Sequence, residues 1–155
     1  MINEKKLKSL INAMESVVRK YAAIERHSGK FDTNLILHSS EIHLIDYIGQ
    51  NSNAKPSDVA RGFDITRGAV SQAISKLEQK SLLRKIPHPE NRKEVMLSLT
   101  EKGKKAYRKH KKIHEDLNEG LTRELANIEP EQIEYVEKVL RKIELHIDLF
   151  DNGNN

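Results

Sequence analysis

Residues 107–117, YRKHKKIHEDL, place His110 and His114 four positions apart. On a helix that spacing puts two imidazoles on one face, where both can ligate a single metal ion. Lys109, Lys111 and Lys112 lie among them, and ammonium groups suit a phosphate backbone. The two chemistries belong to different faces. The histidines extend an apolar stripe of Ala106, Ile113, Leu117, Leu121 and Leu125 and point inward, while the lysines point outward. An inward histidine is more often a satisfied core residue than a ligand, so the spacing alone leaves metal and core both open. A zinc hydrolase is disfavoured, because the general-base Glu that should follow the first histidine is Lys111. With no nucleophile–base arrangement and no phosphate-cradling glycine loop, the chain does not read as an enzyme.

A second group lies in TRGAVSQAISKLEQK. Ala69, Val70, Ala73, Ile74 and Leu77 share one helical face, and Arg67, Ser71, Gln72 and Ser75 fall largely on the other. Arg and Gln can form paired hydrogen bonds to guanine and adenine edges, and serines let a backbone approach closely. Arg92 and Lys93 sit in a polar turn, PENRKE, where cations are drawn to a narrow, electronegative minor groove. The alternative for each is a plain solvated surface. Charge favours the polyanion: residues 55–93 hold nine Lys/Arg against four Asp/Glu, within a chain of net charge +4.

The elements that must position these groups follow from periodicity. Leu7, Leu10, Ile11, Met14, Val17, Val18, Tyr21 and Ile24 predict a long amphipathic first helix. HSGKFDTN breaks it, and a second helix with Ile42, Ile45 and Ile48 starts at capping serines 39–40. PSDVARGF opens a short helix with Pro56, and Thr66 is the expected N-cap of the next. LLRKIPH and VMLSLT then read as strands, with Val95, Leu97 and Leu99 alternating against Met96 and Ser98. A further helix is capped by Thr100 despite Gly103. The last carries Ile133, Val136, Leu140, Ile143, Ile147 and Phe150, a seam of threes and fours that packs along another helix, before a tail, DNGNN, expected to be disordered. Two short helices, a tight turn and a basic-tipped hairpin make a winged helix.

Only 37% of residues are hydrophobic, thin for a compact monomer, which points to helices completed by a second chain. The absence of cysteine excludes disulfides and thiolate metal sites. MINEKKLKSL lacks a signal-peptide core and no apolar run is long enough to span a membrane, so a cytoplasmic protein without a membrane partner is expected.

VARGFDITRGAVSQAISKLEQKSLLRK followed by PENRKEVMLSLTEKGKKAY resembles the MarR family of winged-helix transcription factors, along nearly the whole chain. The resemblance implies a homodimer with interlocked terminal helices, recognition helices in successive major grooves, and a wing arginine, here Arg92, at the minor groove. Family members often carry Asp just before that arginine; this chain has Glu90 and Asn91. In the zinc-responsive branch one metal site takes a Glu from the first helix, a His from the second and two histidines after the wing. Glu25, His43, His110 and His114 stand at matching positions. That branch's second site uses a cysteine and is expected to be missing.

The expected fold is mainly α with a small β-hairpin wing: a winged helix-turn-helix with long N- and C-terminal dimerisation helices. Its parts are an N-terminal dimerisation helix and linker (1–38), the DNA-binding domain (39–100) and the C-terminal helices with the tail (101–155). The expected function is a sequence-specific, operator-binding transcriptional regulator, a repressor, controlled by one divalent metal (zinc) per subunit. The alternative is control by a small aromatic or phenolic effector without metal. A winged helix serving only protein contacts is a third reading, disfavoured by the basic wing and the polar recognition face.

Overall fold

The computed structural model describes residues 3–89, 91 and 94–153. Among them the order is α1 (Glu4–Glu25), α2 (Ser39–Gln50), α3 (Pro56–Gly62), α4 (Arg67–Gln79), β1 (Leu83–Pro87), β2 (Val95–Leu99), α5 (Glu101–Leu125) and α6 (Pro130–Gly153). The chain is mainly helical with one hairpin, the expected winged helix-turn-helix. Whereas the three expected parts are divided by role, compactness divides the chain once, inside α5, into residues 1–113 and 114–155. No helix of the described residues is long and apolar enough to cross a membrane.

In the first unit, the isoleucine spacing of α2 turns Ile42, Ile45 and Ile48 into a core that Val59, Val70, Ile74, Leu77 and Leu97 complete. His38, not a serine, precedes the first turn of α2: its backbone N–H donates to Glu41 Oε2 at 2.9 Å, and Ser39 is already helical. The Glu41 carboxylate thus satisfies the His38 amide in place of a serine cap. The segment between α1 and α2 is more than a breaker. Gly29 and Leu37 bridge it, Leu37 is fully buried, and Phe31 and Thr33 are buried beside it. Phe31 and Asp32 take left-handed backbone, at φ 42° and 57°, to make the turn.

Thr66 caps α4 as expected, accepting from the Ala69 N–H at 3.2 Å. After α4, β1 and β2 pair antiparallel, Leu83 opposite Leu99 and Pro87 opposite Val95. The Leu97 N–H donates to the Ala54 carbonyl at 2.8 Å, tying β2 to the loop ahead of α3. Lys55, just ahead of α3, pairs with Glu94 just before β2, and Lys85 of β1 pairs with Glu78 of α4 at 2.7 Å, bracing the hairpin against the segment before α3 and against α4. The simple alternation expected of β2 does not hold: Val95 is 39% exposed and Met96 only 3%. The strand's tip end lies beyond the core, whereas Met96 and Leu97 are covered on opposite faces.

Thr100 Oγ1 accepts from the Gly103 N–H at 3.1 Å and donates to the Ser81 carbonyl at 2.7 Å. Gly103 is required rather than tolerated. A Cβ there would run into the carbonyl oxygen of Leu82, so only glycine lets the first turn of α5 lie against the end of the α4–β1 link.

By contrast, α1 buries none of its residues: Leu10, Val17 and Val18 are 55%, 65% and 61% exposed. In the second unit the seam of α6 is equally open, with Ile133, Val136 and Leu140 each about half exposed. Its opposite side carries Glu134–Lys138 and Glu137–Arg141 pairs, the surface of a helix whose polar face meets water. α6 continues to Gly153, correcting the expected disordered tail over 151–153; residues 154 and 155 lie outside the described residues.

Candidate nucleic-acid face and histidine cluster

The α3–α4 turn is shaped by Asp64, whose left-handed backbone (φ 50°) lets the Ile65 N–H return to the Ala60 carbonyl at 3.1 Å. This sets α4 with Val70, Ile74 and Leu77 in the core and the opposite side free of covering chain. Arg67, Ser71 and Gln72 are exposed and Ser75 is half-buried. Ala69, expected on the apolar face, is exposed as well; its position in the first turn lies ahead of the core. A row of one guanidinium, one carboxamide and two hydroxyls on a helix rooted by three buried aliphatics can present paired donors and acceptors to base edges. Arg92 and Lys93, the expected wing contacts, lie outside the described residues.

Away from that face, three expected ligands from three helices meet. Glu25 ends α1, His43 lies on α2, and His110 on α5 is 6% exposed. Glu25 Oε2 is 3.2 Å from His43 Nε2, a buried atom that makes no well-directed hydrogen bond there. The His43 and His110 rings meet edge to face, centroids 5.6 Å apart, and Phe31 packs edge-on against His110 at 5.9 Å. His114, the fourth expected ligand, is half-buried and opens the second unit.

A carboxylate with neutral imidazoles is a donor set suited to zinc. The Glu25–His43 separation is close to the edge of a tetrahedron with zinc-length bonds, about 3.3 Å. Among the described residues, no three His, Cys, Asp or Glu side chains stand arrayed as a finished metal site. The donor chemistry and one ligand edge fit; a full coordination shell requires side-chain adjustment.

Two residues of this cluster were not foreseen. Asp46 Oδ1 lies 3.6 Å from His110 Nδ1, and the Phe31 ring closes another side. Asp46 was legible in principle, since it follows His43 by three residues and shares its helix face. Phe31 carried no signal, lying in a non-periodic loop.

Residues 37–95 match the MarR family. The chain carries a MarR-family domain. It is 31% identical over 75 residues to the HTH-type transcriptional regulator PchR of Bacillus subtilis strain 168, a stretch covering 48% of this chain and 44% of that protein. The chain spans about half the length of the curated relatives it matches. Among solved structures, Streptococcus pneumoniae FabT in complex with DNA superposes with a TM-score of 0.68 at 23% identity, covering 94% of this chain and 98% of that one. The zinc-responsive MarR family member ZitR of Lactococcus lactis gives 0.71 at 19% identity, covering 91% and 99%. At these identities the likeness is one of fold. The MarR-family domain coincides with α2 through the start of β2, the part that holds the α4 face. Its relatives are transcriptional regulators, not enzymes.

Proposed function

We propose that this chain is a sequence-specific DNA-binding transcriptional regulator of MarR type, a repressor acting as a homodimer in the cytoplasm. The observation that carries the reading is α4, buried on Val70, Ile74 and Leu77 and exposed at Arg67, Ser71 and Gln72, within a MarR-family domain. Arg67 and Gln72 read base edges, Ser71 and Ser75 let the helix lie close in the major groove, and Arg92 and Lys93 contact the minor groove. The exposed apolar faces of α1 and α6 supply the surface that a second copy covers. Selection of binding sites from a random duplex library tests this: a two-half-site motif is expected, and recovery of no enriched sequence would overturn it.

Control by a divalent metal, zinc, one per subunit, is favoured by the meeting of Glu25, His43 and His110. These three and His114 would hold it, and when bound the ion would cross-link helices through a fixed positive charge. The protein's part is to supply neutral imidazoles and one carboxylate from a site walled by Phe31. Elemental analysis of purified protein, with DNA binding measured before and after chelation, separates this from control by a small aromatic or phenolic effector. Metal-free protein that holds its operator unchanged would leave the second reading.

A further inference from the structure

We infer that Asp46 is the positioning residue for His110, fixing which ring nitrogen of that histidine faces a metal. The inference rests on the metal-binding reading above and concerns a residue outside its ligand set.

α2 presents His43, Asp46 and Gln50 at intervals of three and four, so the three share one side of the helix. Gln50 Nε2 donates to Asp46 Oδ2 at 2.6 Å, which anchors the carboxylate. The other oxygen, Oδ1, lies 3.6 Å from His110 Nδ1, a few tenths of an ångström beyond an N–H···O hydrogen bond. His110 is buried, with the His43 and Phe31 rings edge-on to it, so its own ring has little freedom to turn.

A neutral imidazole carries its proton on either nitrogen, and only the other can donate a lone pair to a metal. A carboxylate beside Nδ1 draws the proton there and leaves the lone pair on Nε2. Such a carboxylate–histidine arrangement orients metal-bound histidines and raises their basicity. Asp46 Oδ1 stands a small side-chain shift away from that relation with His110 Nδ1. With one oxygen committed to Gln50 and the other facing the imidazole, it acts through His110.

The test uses the full chain, with Asp46→Ala and Asp46→Asn compared with wild type. In metal-free protein, nitrogen-15 spectra of the imidazole are expected to place the His110 proton on Nδ1, and Asp46→Ala should lose that preference. Zinc affinity, read by competition with a chromophoric chelator, is expected to fall roughly 10–100-fold in Asp46→Ala. Asp46→Asn keeps an acceptor oxygen and should recover most of the loss, which a damaged fold would not allow. Cobalt(II), used as a coloured stand-in, should give one ligand-field spectrum in all three proteins. Unchanged tautomer and affinity in Asp46→Ala would overturn the inference alone. A cobalt spectrum altered by both variants would overturn it differently, making Asp46 a ligand. Wild type that binds neither zinc nor cobalt would sink the metal-binding reading, and this role with it.

Discussion

Lys80 at the end of α4 donates to both carboxylate oxygens of Glu41 in the first turn of α2, at 2.6 and 2.8 Å. Glu41 also accepts the His38 amide, so one carboxylate caps α2 and ties it to the end of α4. Burial pushes the Glu41 carboxyl up. The Lys80 hydrogen bond, the His38 amide and the Lys80 and His38 charges together outweigh it and hold the group below its ordinary range. A depressed carboxylate stabilises the fold fully above its unfolded pKa, and that contribution is lost as pH falls through the folded value. Lys80→Met should cost about 1.5–3 kcal/mol near neutrality, the range for a hydrogen bond to a charged group. Urea titrations across acidic pH should show the variant's deficit shrinking as pH drops below the ordinary carboxylate range. A deficit constant with pH would show that packing, not the ion pair, carries the loss.

Two glycines of α5 should respond oppositely to alanine. At Gly103 a Cβ meets the Leu82 backbone, which cannot swing aside, so Gly103→Ala should destabilise by about 3 kcal/mol, the upper end for overpacking. At Gly120 nothing lies within 4 Å of the added carbon. There the usual helix preference should show, stabilising by about 1 kcal/mol. Denaturant melts of both variants check the pair, and equal effects would mean that Gly103 has no special role.

What the sequence made legible was what has a period. Ile42, Ile45 and Ile48, and the two faces of α4, follow from spacing because each helix buries one side against the same core. The loop between α1 and α2 has no period, so the burial of Phe31, Thr33 and Leu37 was invisible until the chain closed around them. Gly103 read as a weakness because a backbone contact with Leu82, twenty-one residues earlier, leaves no trace in local pattern. Of the histidine cluster, local spacing carries the His110–His114 and His43–Asp46 intervals but not which helices meet. The meeting of Glu25 with His43, eighteen residues apart, is implied only by family resemblance, and the approach of Asp46 to His110 leaves no local trace because the two lie on different helices.

Sequence readout and general affinity should divide between α4 and the basic turn ahead of β2. Arg67→Ala and Gln72→Ala should each cost about 1–3 kcal/mol of operator binding and relax preference at one position. Arg92→Ala should weaken binding to all sequences alike and reduce the slope of log affinity against log salt by about one. Fluorescence anisotropy with operator and scrambled duplexes at several salt concentrations reads both. An Arg67 variant that lost affinity equally for the two duplexes would be a phosphate contact instead.

The open faces of α1 and α6 should mark the homodimer. Leu140 is 52% exposed and Val18 61%, so a carboxylate at either disturbs little within one chain. Leu140→Glu or Val18→Glu should shift sedimentation from dimer to monomer. Operator affinity should then fall by about 100-fold or more, because two half-sites no longer bind as one. Monomers of wild type that hold the operator tightly would remove the need for a second copy.

His43 gives the sharpest test of metal control. Its Nε2 is buried 3.2 Å from Glu25, so removing either partner dissects the cluster without touching the α4 face. A metal can strengthen operator binding only by as much as it prefers the DNA-competent arrangement, and the operator must strengthen metal binding by the same factor. Wild type should therefore bind its operator about 5–150-fold more tightly with zinc, and its zinc more tightly by that factor when the operator is present. His43→Ala and Glu25→Gln should lose stoichiometric zinc and the zinc response together, while retaining the affinity of metal-free wild type. Calorimetric titration of zinc with and without operator closes the cycle. If His43→Ala still responded to zinc, the ion would have to act at other residues. If the two coupling factors were equal to one, a bound metal would serve stability alone.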